Sequence, residues 1–206
     1  MLNFAALREA AVMAEPFPFI IAKGVVAEDD VAKVAADFPA IKSPGVFPLS
    51  ELTYGPAFER LVEEIKSPEL EALIAKKFDI DLSGRPLMVT VRGHCQSRDG
   101  RVHTDSQDKL ITCLLYLNEP RWTQEGGSLR LLRDGDSLDH VIAEAPPNGG
   151  NFVAFKRTDN SWHGHAPYSG RRRAIMFNWV RSNAILAKNL GRHRLSAVAK
   201  RLGWPG

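Results

Sequence analysis

Between Pro86 and Val180 the chain is a succession of short apolar runs, Leu87–Val91, Leu110–Leu117, Ser128–Leu132, Val141–Ala143, Asn151–Phe155 and Arg173–Val180, divided by Gly, Asp, Asn and Pro. Runs of this length bounded by turn residues predict strands, and their succession predicts a β-sandwich or barrel. Turn chemistry stands at Glu125-Gly126-Gly127, Asp134-Gly135-Asp136 and Pro147-Asn148-Gly149-Gly150, where hairpins are expected. The front of the chain has a different rhythm. Phe17 to Ile21 reads as a short strand, but Glu28 to Phe38 spaces Val31, Val34, Ala35 and Phe38 at a helical period. A second helix is predicted over Pro56 to Ile65. A third opens at Ser67-Pro68-Glu69, with a capping hydroxyl, proline at the first helical position and acid in the first turn, and runs to Phe78. Asn183 to Trp204 returns to helical spacing, interrupted near Gly191. With no repeat and no linker, the expected organisation is one domain over 1–206. It has a helical front at 1–85, a strand-rich core at 86–181 and a C-terminal helical segment at 182–206.

Composition narrows the class without naming a function. The 206 residues are 44% hydrophobic and 25% charged, ordinary for a globular chain able to bury its own core. The net charge is +3, and Lys188, Arg192, Arg194, Lys200 and Arg201 gather near the C-terminus. That cluster reads as a solvated helix face rather than a nucleic-acid or membrane-surface site. Cys95 and Cys113 follow an N-terminus without a basic, apolar leader, so a cytoplasmic location with free thiols is expected. No stretch approaches about 18 apolar residues, so no membrane span is expected.

The chemistry concentrates in His103-Thr104-Asp105, with His163 sixty positions after His103 and Arg172 nine further on. On an extended strand residues i and i+2 share a face, so His103 and Asp105 can meet one ion, and His163 can join them from a neighbouring strand. Two imidazoles and one carboxylate are the donor set of non-haem Fe(II) sites, which leave positions open for a bidentate ligand and dioxygen. Read singly, the histidines are far more often satisfied polar residues at strand ends, and Asp105 the start of a turn. His94, His140 and His193 carry no pattern. Arg171, Arg172 and Arg173 stand together, and alternation puts Arg172, Ala174, Met176 and Asn178 on one strand face.

Taken in order, His103-Thr104-Asp105, the run Leu110 to Asn118, Glu125-Gly126-Gly127-Ser128-Leu129-Arg130, Trp162-His163 and Arg172-Arg173-Ala174-Ile175 resemble the prolyl-4-hydroxylase-like branch of the Fe(II)/2-oxoglutarate dioxygenases, over about residues 86 to 181. The resemblance implies an α+β, mainly β fold. Its core would be a double-stranded β-helix, or jelly roll, with N-terminal helices packed outside and a C-terminal helix. It implies that His103, Asp105 and His163 ligate Fe(II), with His163 preferred to His165 because of its distance from Arg172. It further implies that Arg172 holds the remote carboxylate of 2-oxoglutarate, with Tyr116 also hydrogen-bonding the co-substrate and Leu129 forming an apolar wall; Leu114, Met176 and Asn178 are further candidates to line the pocket.

The activity implied is hydroxylation of an unactivated C–H bond, using dioxygen and converting 2-oxoglutarate to succinate and carbon dioxide, with ascorbate as a candidate auxiliary. The acceptor is a protein or peptide, proline first, or a small metabolite. The strand Val89-Thr90-Val91-Arg92-Gly93-His94 lacks the tyrosine that prolyl hydroxylases often carry there, which bears on the acceptor and not on the metal. Two rivals differ in class. A cupin-type jelly-roll isomerase or sensor would need the metal but no buried Arg172, and a barrel that has become an interaction domain would not need all three ligands.

Overall fold

The structure, a computed structural model, describes residues 1–191. Strands β1 (Phe19–Ala22), β2 (Phe47–Pro48), β3 (Leu87–Cys95), β4 (Lys109–Tyr116), β5 (Leu129–Leu132), β6 (Val141–Ala145), β7 (Phe152–Lys156), β8 (His163–Gly164) and β9 (Gly170–Val180) form two sheets. The larger has the order β1-β7-β4-β9-β3-β2 and the smaller β6-β5-β8, with antiparallel pairing throughout. Helices α1 (Phe4–Glu9), α2 (Glu28–Ala36), α3 (Pro56–Ile65) and α4 (Pro68–Phe78) come from the front of the chain. Residues 183–191 form a further helix, α5. This is the expected jelly roll.

Why the strands read as continuous apolar runs is clear from the two cores. Ile111, Cys113 and Leu115 of β4 and Ile175, Phe177 and Trp179 of β9 face the helices, packing with Phe58, Leu61 and Ile74 among others. Their alternates Leu114, Tyr116 and Ala174 face the smaller sheet and pack with Leu129, Leu131, Val153 and Phe155. A sheet covered on both faces has no polar side, so the period-two signal fades. The inward row of β9 opens the space in which the site lies.

Helices α3 and α4 have the predicted bounds. Ser67 Oγ accepts from the Leu70 N–H at 3.2 Å, and the proline that follows occupies the first turn, where its missing N–H costs nothing. Of the three glycine-bearing turns, only Asp134-Gly135-Asp136 joins a paired hairpin, β5 to β6. Pro147–Gly150 instead carries the chain from one sheet to the other, and Gly126-Gly127 leads into β5 with β4 lying elsewhere. The helical segment expected over Asn183 to Trp204 extends past the described residues, and so do Arg192, His193, Arg194, Lys200 and Arg201.

Candidate metal centre

His103 and His163 are brought together by backbone pairing. They exchange two hydrogen bonds as an isolated antiparallel bridge, His103 N–H to His163 O at 3.1 Å and His163 N–H to His103 O at 3.0 Å, and their ring centres lie 4.3 Å apart. The extended strand expected through 103–105 is thus reduced to one bridge at His103. Each ring is fixed by a carbonyl: His103 Nδ1 lies 2.7 Å from Arg101 O, and His163 Nδ1 lies 2.9 Å from Ser161 O. A carbonyl only accepts, so both Nδ1 atoms carry the proton and both Nε2 lone pairs are left for a metal. Burial pushes the His163 pKa down to about 4 against the opposing pull of Asp105, so the ring is neutral at physiological pH.

Asp105 completes the group: one ligand atom from each of His103, Asp105 and His163 lie within 4.8 Å of one another. Its carboxylate is 9% exposed. Burial alone would raise its pKa, but the Lys109 ammonium 2.7 Å from Oδ1, with help from His163 and the Thr112 hydroxyl donating to Oδ2, holds it down at about 2. The Thr112 hydroxyl also lies 2.9 Å from the Asn178 side-chain amide. Arg157 Nε, donating to Asp105 O at 3.1 Å, fixes the backbone. A permanently ionised carboxylate beside two neutral Nε2 donors is a hard, three-membered set that suits Fe(II).

The triad borders a cavity of about 330 Å³, walled by Leu114, Leu129, Met176 and Asn178 and closed at one side by Arg172. Arg172 is 3% exposed. Its Nε donates to Gly127 O at 2.7 Å and its Nη2 to the Tyr116 hydroxyl at 3.2 Å, with the guanidinium 5.2 Å from the Tyr116 ring centre. The other two cations of the lining have acidic partners: Arg92 pairs with Asp99 at 3.0 Å and Lys109 with Asp105. Arg172 has no acid partner among the described residues. A buried guanidinium held only by neutral oxygens, with donors to spare beside a cavity, is suited to an incoming carboxylate.

Arg171 and Arg173 point elsewhere. Arg171 pairs with Glu119 on the surface, while Arg173 donates to Ala35 O at 3.1 Å and stacks over Phe38 on the helical side. Tyr116 is wholly buried behind Arg172 and touches the cavity through it, whereas Leu129 lines the wall directly. His165 also lines the cavity but stands outside the three-residue group. Its Nδ1 is bonded to Ala166 O at 2.9 Å and its ring packs over Gly100. Sequence reasoning missed Lys109, Thr112, Arg92 and Asn189. Thr112 was the most accessible of these, since it shares the inward alternation of Leu114 and Tyr116 on β4.

Residues 91–181 match the sequence model of the 2OG-Fe(II) oxygenase superfamily. No curated protein matches the chain. Among solved structures, a Pseudomonas putida prolyl-4-hydroxylase is similar at 18% identity and a TM-score of 0.59, covering 87% of this chain and 99% of that one. The viral collagen prolyl hydroxylase of Paramecium Bursaria Chlorella virus-1, solved as a 2OG complex, follows at 19% identity and 0.54, covering 80% and 95%. A Trichoplax adhaerens prolyl hydroxylase, solved with a hypoxia inducible factor oxygen degradation domain peptide, is 16% identical at 0.53, covering 79% and 83%. These structures share the fold.

Proposed function

We propose that the chain, whose residues 91–181 match the 2OG-Fe(II) oxygenase superfamily model, is an Fe(II)- and 2-oxoglutarate-dependent dioxygenase that hydroxylates an unactivated C–H bond of a peptide acceptor, proline first, at His103, Asp105 and His163. Fe(II), when bound, supplies the chemistry by which dioxygen splits 2-oxoglutarate into succinate and carbon dioxide and delivers its second oxygen atom to the acceptor. His103 and His163 give neutral Nε2 donors and Asp105 a fixed charge. Lys109 at Oδ1 and Thr112 at Oδ2 keep that carboxylate oriented. Arg172 receives the remote carboxylate of the 2-oxoacid, and Tyr116, buried behind it and outside the cavity lining, acts by steadying Arg172. Leu114, Leu129 and Met176 keep the reacting end dry, which strengthens each of these charge interactions.

The observation that carries this reading is a buried Arg172 in the same cavity as the triad, with no acid partner among the described residues. It also weighs against the cupin-type reading, since a barrel that binds only metal has no use for a buried, acid-free guanidinium. The peptide preference is supported by the fold shared with prolyl hydroxylases, one of them solved with a peptide. The test is mass spectrometry of a panel of proline-containing peptides and of cell extract, incubated with Fe(II), ascorbate, oxygen and 2-oxoglutarate. A peptide heavier by one oxygen atom, dependent on 2-oxoglutarate and absent with His163→Ala, is expected. A product found only among metabolites would refute the peptide acceptor.

A further inference from the structure

Helix α5 brings to the cavity a side chain that the jelly roll does not supply. It begins at Ser182, whose hydroxyl accepts from the Ile185 N–H at 3.4 Å and whose carbonyl accepts from the Leu186 N–H at 3.0 Å. Two turns on, Asn189 lines the cavity together with Val46, Thr104 and Ser106 and is only 6% exposed. Its side-chain amide has no hydrogen-bond partner among the described residues. Among the described residues the sealed side-chain atoms without a partner are Arg92 Nε and His94 Nδ1, so the Asn189 amide is open to the cavity it lines and free to bond a ligand there.

The chemistry of that ligand follows from what is already taken. Arg92 and Lys109 are neutralised by Asp99 and Asp105, and Arg172 is matched to the co-substrate, so the recognition left over is neutral. A primary amide carries donor and acceptor side by side, the complement of another amide. At about 330 Å³ the cavity sits at the low end of ligand pockets, roughly 300–1,000 Å³, and the co-substrate must share it. One acceptor side chain can enter; the rest of the acceptor must lie across the mouth.

We propose that Asn189 is the acceptor-recognition residue, its amide pairing with a main-chain amide of a peptide laid across the cavity mouth beside Thr104 and Val46. This rests on the peptide reading above. The probes are N-acetylated, C-amidated proline peptides taken from the oxidised members of the panel, each resynthesised as an ester scan in which one main-chain N–H at a time is replaced by oxygen. Wild-type enzyme should show one ester position whose KM rises about tenfold, the effect of a lost hydrogen bond. Asn189→Ala should raise the KM of the parent peptide similarly, and the two losses should not add. Asn189→Asp, of the same shape but without the donor, should also raise KM, which guards against a folding defect in the alanine variant. If Asn189→Ala and Asn189→Asp leave the peptide KM unchanged, or the losses add in full, Asn189 is not the partner while the peptide reading stands. If wild-type enzyme oxidises no peptide and only metabolites, the peptide reading itself fails and this inference with it.

Discussion

Arg172 decides between an oxygenase and a barrel that merely holds metal, and its surroundings say what its loss should do. Its Nε and Nη2 are held by Gly127 O and the Tyr116 hydroxyl, so the side chain is in place before any ligand arrives. Arg172→Ala should leave Fe(II) binding nearly intact and weaken 2-oxoglutarate by about 2 kcal/mol or more, the range seen when a buried carboxylate loses its charged partner. Anaerobic calorimetry on the Fe(II)-loaded protein measures this directly. Arg173→Ala removes only a contact with α2 and Phe38 and should leave 2-oxoglutarate affinity within a factor of a few. A parallel pair separates the distal histidines: His163→Ala should lose most Fe(II) affinity, and His165→Ala should keep it. The reverse pattern in metal titration would move the site to His165. At this scale the residues that could hold iron were legible because their spacing is strict. Lys109 was not, because a lysine four residues after an aspartate is common and only the fold shows that it faces inward.

Strands and loops aim these side chains, and two glycines show how tightly. Gly93 sits at a register shift in β3, where a Cβ would come within 2.8 Å of Ile41, so the strand can pass the front segment only without a side chain there. Gly100, at φ +79°, lies under His165; a Cβ would stand 2.4 Å from the ring. Gly100→Ala should therefore combine left-handed backbone strain of about 1–2 kcal/mol with displacement of His165. Thermal or denaturant unfolding should show the loss, and His165→Ala should relieve part of it, because the clash needs both partners. An additive double variant would show that the ring does not press on Gly100.

Helices α3 and α4 were readable to the residue because their starts are written in local chemistry, proline and a capping serine. Ser67→Ala should cost about 1 kcal/mol of stability by removing the Leu70 N–H acceptor, visible as a lower denaturant midpoint without loss of Fe(II) binding. Strands β2 and β8, two residues each, were not readable. They exist because of what they pair with, and a two-residue strand has no period of its own.

At the scale of the molecule, the front helices cover one face of the larger sheet and leave the other to enclose the site with the smaller sheet. Among the described residues no helix is long and apolar enough to cross a membrane. The jelly roll was legible from the rhythm of its strands and the order of its motifs. The cavity mouth was not, because Val46 and Asn189 reach it from opposite ends of the chain and neither lies in a motif. Whether His103, Asp105 and His163 form a working Fe(II) site for 2-oxoglutarate is read from succinate release. Purified protein with Fe(II), ascorbate, oxygen and 2-oxoglutarate should form succinate slowly without acceptor and faster with one, and His163→Ala should form none above background. Iron-loaded wild-type protein that never yields succinate, or a His163→Ala variant that forms it as fast as an active wild type, would show that these three residues are not such a site.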